Sequence, residues 1–404
     1  MKYILIIGDG MADSPIEALG GKTPLEYAAP ACMNAMAAAG QVGRAETVPP
    51  GVEPGSDTAI LSIFGYDPRR YYSGRSPLEA VGSGVSLRPG NLSFRVNLVA
   101  LSPAEPYESR RMLSHNAGEI EGEEALAAMA ALMGDSEFMD IAQGVGMSFT
   151  PTPSFRHVAV LETGEASAFR TDPPHDFLDQ ALAAHLPEGE GLLALQKRAT
   201  LVLDNHPMNA ARRAAKKLPA NGIWFWGAGS AIMLPSFPER TGLQGVVVSA
   251  VPLVKGIARL AGLEAPEVPG ATGRLDTDYA AKLRVGLAGL ENGAAFLALH
   301  VEAPDECAHA GDLEGKLQAI GDLDDKLIVP LLEALRAAGE SFRVLILSDH
   351  YTPLATRTHS AEPVPFLLYD SREKMGNGAA YGETVAEKGQ LVPGDRILDA
   401  LFTH

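Results

Sequence analysis

The chain has 404 residues, 46% of them hydrophobic and 21% charged, the composition of a globular protein long enough for two domains or for one domain carrying an insertion. With 33 basic against 50 acidic side chains the formal net charge is −17, which opposes binding to nucleic acid or anionic membrane and obliges any anionic substrate to find local cations. Only Cys32 and Cys307 are present, and no apolar run reaches the length of a signal segment or membrane helix, so no disulfide framework is expected and the expected compartment is the cytoplasm.

The first element is the apolar run Tyr3 to Ile7, a strand closed by Gly8-Asp9-Gly10. Next, Val52-Glu53-Pro54-Gly55-Ser56-Asp57-Thr58 leads into the apolar helical run Ala59 to Phe64, which puts Ser56 at a helix N-terminus. Free backbone amides there favour an anion and suit a phosphoserine, but serine is also among the commonest N-caps, so both roles stand open for Ser56. From about residue 90 to 235 the pattern changes, with Pro151, Pro153, Pro173, Pro174 and Pro207 as joints between short elements. Strand-like Phe94 to Leu98 and His157 to Leu161, with a helix from about Glu121 to Met133, mark an α+β module inserted into the first domain.

Strand-like runs resume at Gly245 to Val251, Ala295 to Val301 and Phe342 to Leu347. Between the last two, Leu313, Leu317, Ile320, Leu327, Leu331 and Leu335 recur at helical spacing over Asp312 to Ala337. Buried strands alternating with amphipathic helices predict an α/β sandwich on a mostly parallel sheet. The expected division is residues 1–88 with 236–404 for that domain and 89–235 for the insertion.

Chelating side chains cluster where such strands end. Asp9 follows the first strand, Asp305 and His309 follow Val301, Asp349 and His350 follow Leu347, and His359 lies nine residues beyond His350. In an open α/β sheet the ligand crevice lies at the carboxyl ends of the strands, so separate positions can converge there. Carboxylates and neutral imidazoles are ligands for divalent manganese, zinc, cobalt or magnesium, and this set suffices for two ions. A serine hydroxyl needs a base or a metal to become a nucleophile, and no Gly-x-Ser-x-Gly elbow is present. Two metals about 4 Å apart would activate Ser56 and stabilise an in-line phosphoryl transfer. Gly21-Lys22-Thr23 imitates the end of a Walker loop, but Ile16 stands where that motif needs glycine.

Several motifs carry a resemblance: Ile7-Gly8-Asp9-Gly10-Met11-Ala12-Asp13, Pro54-Gly55-Ser56-Asp57, Asp305-Glu306-Cys307-Ala308-His309, Ser348-Asp349-His350 and Thr358-His359-Ser360. With Gly74-Arg75-Ser76-Pro77 and Lys255-Gly256-Ile257, they make nearly the whole chain resemble the archaeal-type cofactor-independent phosphoglycerate mutases of the alkaline phosphatase superfamily. The resemblance implies a three-layer α/β/α sandwich split by a smaller α+β domain that binds substrate, with the active site in the cleft between the two. It also implies a phosphoserine intermediate in the exchange of 3- and 2-phosphoglycerate, two divalent ions and no 2,3-bisphosphoglycerate. By the same resemblance Asp9, Ser56, Asp349 and His350 hold one ion and Asp305, His309 and His359 the other. Arg156 and Lys255, with Arg75, are the expected cations for the substrate's anionic groups. One loop departs from the family pattern: His115-Asn116-Ala117-Gly118-Glu119 stands where relatives read Tyr-Ser-Ala-Gly-His. Transfer to another small alcohol such as homoserine, or hydrolysis by a metal-dependent phosphatase, are the alternative reactions.

Overall fold

The computed structural model describes residues 1–164, 166–376 and 378–403. The chain falls into two compact units, one formed by Met1–Tyr72 with Met233–His404 and the other by Ser73–Ile232. Among the described residues the strands are, in order, β1 (Lys2–Gly8), β2 (Gln41–Glu46), β3 (Leu92–Leu101), β4 (Met112–Ser114), β5 (Met147–Thr150) and β6 (Arg156–Leu161). They continue as β7 (Gly222–Ser230), β8 (Gly245–Val248), β9 (Phe296–Val301), β10 (Phe342–Leu347), β11 (Val364–Asp370) and β12 (Leu391–Pro393).

The larger unit is built on a seven-stranded sheet in the order β12-β2-β11-β10-β1-β9-β8. Every neighbouring pair is parallel except β10 with β11 and β11 with β2, so β11 alone runs against the others. Because side chains alternate across a strand, Ile4 and Ile6 of β1, Leu297 and Leu299 of β9 and Val344 and Ile346 of β10 enter one core with helical residues such as Met33, Leu290 and Leu331. Residues one position out of step face the other way: Phe296 packs edge-on against Phe64 and Phe402, and Tyr3 against Phe402. Both faces are therefore covered, giving the expected three layers, and each large apolar side chain buried there contributes about 1.5–3 kcal/mol. The register matters for function. Ile7 pairs with Leu347 and Gly8 with Val301, so β10, β1 and β9 reach their carboxyl ends level with one another at the centre of the sheet.

Two local expectations change. The predicted strand Gly245 to Val251 stops at Val248, because Ser249 Oγ accepts from Val251 N and Pro252 opens a helix. The predicted helix from Asp312 to Ala337 is continuous, but its middle turn, Leu323–Ile328, is a π-helix. Pro330 just beyond has no N–H to give to the preceding turn, and the wider turn carries Asp324 to the start of the helix Ala31–Ala39. There its carboxylate accepts from Cys32 N and Met33 N at 2.8 and 2.9 Å, a cap that Pro30 cannot supply.

The second unit is an antiparallel sheet in which β3 is flanked by β7 and β6, β5 extends the β6 side, and β4 pairs with the end of β3. Ile223 and Phe225 of β7 join the core under the helices Gly122–Met133, Ser136–Gly144 and Glu190–Asp204, whereas Trp224 and Trp226 enter a smaller cluster with Tyr107 and Phe177. This is an α+β unit. It begins at Ser73, ahead of the expected residue 89, because the helix Arg75–Gly82 packs on β3 and β7. Among the described residues no helix is long and apolar enough to cross a membrane.

Candidate metal centre and nucleophile

Asp9, at the end of β1, is fixed by its backbone N–H donating to Val301 O at 2.9 Å. Gly10, the next residue, has φ +58°, and a Cβ there would lie 2.4 Å from Asp305 Oδ1 and 2.7 Å from Thr352 Oγ1. Only glycine lets the chain turn away after β1 this close to Asp305. Gly10→Ala is therefore expected to lose about 1–3 kcal/mol of stability and to weaken divalent-ion binding at least about tenfold. Thermal melts with and without Mn(II), plus a metal titration, check this, and wild-type metal affinity in Gly10→Ala would contradict it.

The structure brings together all seven residues expected to hold metal. Ser56 opens the helix Ser56–Ile63 from its first turn rather than from the cap, which is Gly55. Its hydroxyl does not serve the helix; Ser56 Oγ lies 3.2 Å from His350 Nε2. The N-cap reading of Ser56 therefore falls. Asp349 and His350 follow β10 directly, and Asp349 Oδ1 accepts from Gly10 N at 3.1 Å and His350 N at 2.9 Å. Asp305 sits in the first turn of the helix Ala303–Ala310, with His309 one turn later on the same face. Asp305 Oδ2 is 3.2 Å from His309 Nε2, Asp305 Oδ1 is 3.6 Å from His359 Nε2, and the two imidazole Nε2 atoms are 2.9 Å apart.

Ligand atoms of Asp305, His309 and His359 lie within 4.8 Å of one another, and so do those of Asp9, Asp305 and His350. Asp305 thus belongs to both groups, a sharing that the expected four-plus-three partition did not contain. His309 Nδ1 donates to Arg357 O at 2.9 Å, which turns Nε2 toward the acids.

The chemistry of the donor set fits cations. Asp9 Oδ1 and Asp349 Oδ2 are buried and receive no hydrogen bond, although the partner oxygen of each carboxylate is bonded. Burial, and then the charges of Asp349, Asp305 and Glu302, push the Asp9 carboxyl well above the usual carboxylate range. A protein leaves such oxygens unsatisfied at a cost unless something positive sits between them. Burial opposes ionisation of Asp305 too, but its contacts with His309 and His359 hold it well below the usual range. The His309 imidazole is correspondingly pushed up to about 9, chiefly by Asp305.

Two contributors went unpredicted. His300 lies in β9, fully surrounded, with Nε2 2.9 Å from Asp9 Oδ2 and Nδ1 3.1 Å from Ser249 Oγ. Burial pushes it down to about 3, so the neutral ring donates through Nε2 to the Asp9 carboxylate and accepts from Ser249. Thr352 is also buried, its hydroxyl 2.6 Å from Asp305 Oδ1 and 3.1 Å from His350 Nδ1. A histidine inside an otherwise apolar strand is the one signal that could have found the first; nothing in the sequence singles out the second.

The expected substrate cations have carboxylate partners of their own. Lys255 Nζ donates to Glu267 Oε2 at 2.7 Å, an ion pair within its own part of the larger unit and not a contact with the cluster. Arg156 and Arg75 belong to the second unit, where with Arg95 they surround the carboxylate of Glu79. Burial pushes Glu79 up, but Arg95, Arg156 and Arg75 more than offset this and hold it at about 2. Arg95 also lies over the Trp226 ring at 4.1 Å, and His115 of the departing loop meets His175, whose ring packs on Trp226.

A mostly parallel sheet with carboxylates and imidazoles gathered at its carboxyl edge defines an α/β protein with a candidate metal centre. Comparison with known proteins narrows the class. The family described as 2,3-bisphosphoglycerate-independent phosphoglycerate mutase matches residues 37–209. A probable 2,3-bisphosphoglycerate-independent phosphoglycerate mutase of Geobacter sulfurreducens is 45% identical, with 100% of both chains covered. The 2,3-bisphosphoglycerate-independent phosphoglycerate mutase of Methanothrix thermoacetophila is 42% identical, again with 100% of both covered. Among solved structures, the cofactor-independent phosphoglycerate mutase of Thermoplasma acidophilum superposes with a TM-score of 0.64 at 25% identity, covering 99% of each chain. The chain belongs to the 2,3-bisphosphoglycerate-independent phosphoglycerate mutase family.

Proposed function

We propose that this chain interconverts 3-phosphoglycerate and 2-phosphoglycerate through a phosphoserine at Ser56, with two divalent ions held by Asp9, Ser56, Asp305, His309, Asp349, His350 and His359. The observation that carries the reading is a serine hydroxyl at a helix N-terminus, aimed into a cluster with two unsatisfied buried carboxylate oxygens. The relatives' names support the same substrate pair. The ions would supply charge neutralisation and an acidified serine hydroxyl.

Ser56 Oγ gives up its proton and attacks phosphorus, the bond from phosphorus to the 3-oxygen breaks, and that oxygen takes up a proton, so that glycerate forms with no net change in protons. Attack by the 2-hydroxyl of glycerate on the phosphoserine then releases Ser56 and gives the 2-phosphate, with no need for 2,3-bisphosphoglycerate. The free amides at the start of the helix Ser56–Ile63 favour the phosphoryl group while it resides on the serine. Arg156 and Arg75, preorganised around Glu79 in the second unit, are the proposed partners of the substrate's anionic groups, and that unit is the proposed substrate-binding domain. Lys255 is retained as a binding cation only if substrate displaces Glu267 from it.

Phosphorus NMR of the metal-loaded protein with 3-phosphoglycerate tests the reading. Appearance of 2-phosphoglycerate is the expected outcome; free phosphate would assign a phosphatase, and no reaction without ATP and homoserine would assign a kinase. Chelation is expected to abolish the isomerisation, and Mn(II), Co(II) or Zn(II) to restore it, because among the described residues none donates a hydrogen bond to Asp9 Oδ1 or Asp349 Oδ2. Full activity of protein shown to be metal-free would end the metal mechanism.

A further inference from the structure

Thr352 has the geometry of a connector rather than of a core residue. Its backbone is bolted down on both sides: its N–H donates to Ala12 O at 3.2 Å and its carbonyl accepts from Lys316 Nζ at 2.9 Å. Lys316 is itself buried and paired with Asp13 Oδ2 at 2.7 Å, so the ammonium ties the loop after β10 to the loop after β1. The hydroxyl of Thr352 is thereby delivered between Asp305 Oδ1, at 2.6 Å, and His350 Nδ1, at 3.1 Å.

The direction of these two bonds is forced by proton count. A hydroxyl owns one proton and two acceptor positions, and a carboxylate owns none. The Thr352 proton must therefore go to Asp305, and the bond to His350 must be made with the proton of Nδ1. An imidazole protonated on Nδ1 presents its lone pair on Nε2, the atom that faces Ser56 Oγ at 3.2 Å, Asp349 Oδ2 at 3.3 Å and Asp9 Oδ1 at 3.6 Å. The bond made by one ring nitrogen decides which nitrogen can accept a cation.

We infer that Thr352 is a positioning residue that sets the tautomer of His350 and, through the same oxygen, the orientation of Asp305, so that the two ligand groups are prepared together. Asp305 is the residue common to both groups, and His350 belongs to one of them. A single hydroxyl thus couples the His309 and His359 side of the cluster to the Asp9 and Asp349 side. This rests on reading the cluster as a metal centre, and the test separates the two claims.

The first measurement needs no variant. In full-length protein carrying 15N-labelled histidine, metal-free and Zn(II)-loaded, long-range proton–nitrogen correlation reports the His350 tautomer, assigned by its loss in His350→Gln. The Nδ1–H form is expected in both states; an Nε2–H ring in the metal-free chain would overturn the inference. The second uses Thr352→Val, which keeps the shape and loses the hydroxyl, and Thr352→Ser, which keeps the hydroxyl. Mn(II) is expected to bind Thr352→Val at least about tenfold more weakly than wild type and without the spin-coupled pair signal, while Thr352→Ser stays within about threefold and keeps the signal. Wild-type binding by Thr352→Val would refute the role, and so would equal weakening of both variants, which would show that the methyl group matters and the hydroxyl does not. Should Thr352→Val fail to fold, the tautomer still decides. A wild-type chain that binds no divalent ion would defeat the metal reading alone, leaving the tautomer to judge Thr352.

Discussion

Ser56→Ala is expected to lower the isomerisation rate by at least about 10⁴-fold, about 5.5 kcal/mol in the barrier, while the chain stays folded and keeps its divalent ions. The asymmetry follows from position. Ser56 is not the cap of its helix, so the substitution removes no helix contact; it removes the 3.2 Å approach to His350, worth about 1 kcal/mol of stability, and one proposed ligand, leaving the carboxylates and imidazoles to hold the ions. Alanine at the first helical position also carries no propensity penalty. The covalent intermediate, by contrast, needs the hydroxyl that alanine lacks. Rate measurement at saturating Mn(II), beside a thermal melt, would show it; an alanine variant within about tenfold of wild type would mean that the chemistry lies elsewhere.

Asp305→Asn should bind Mn(II) more than about 100-fold more weakly and lose activity by roughly 10³-fold, a larger effect than second-sphere changes produce. The amide is nearly isosteric and can still accept from Thr352, so the change isolates charge from shape. That charge is what holds His309 and His359 in place, at 3.2 and 3.6 Å, and it is shared by both ligand groups. Metal-free Asp305→Asn should also melt at a lower temperature than metal-free wild type, since the ionised, half-paired carboxylate stabilises the His309 side of the site. Retention of wild-type metal affinity would show that Asp305 is a structural acid only.

Much of this was legible in the chain because the fold makes function local. Asp9, Asp305, Asp349 and His350 each stand within a few residues of a strand's carboxyl end, and a parallel sheet turns that shared sequence position into a shared place. Ser56 was legible as a helix start, but its own local sequence left cap and nucleophile open, since the two look alike until the direction of the hydroxyl is known. What escaped were residues whose meaning is purely spatial. Thr352 is an ordinary threonine in a loop, and its two bonds join residues 47 positions and 2 positions away. His300 sits within an apolar strand, where only its burial against Asp9 reveals the bond it makes. The helix Arg75–Gly82 was assigned to the wrong side of the first boundary for a similar reason. Its pairing of Arg75 with Glu79 looks like a solvated surface pair, yet Glu79 is the anchor for Arg95 of β3. For the same reason Lys255 looked available to a substrate until Glu267 was found beside it.

Acid quench of the metal-loaded enzyme during turnover of 3-phosphoglycerate, followed by peptide mass measurement, bears most directly on the mechanism. The expected result is a mass gain of one phosphoryl group on the peptide containing Ser56, absent from chelated enzyme and from Ser56→Ala. Turnover at full rate with phosphate on no residue, or on a residue other than Ser56, would contradict the phosphoserine route.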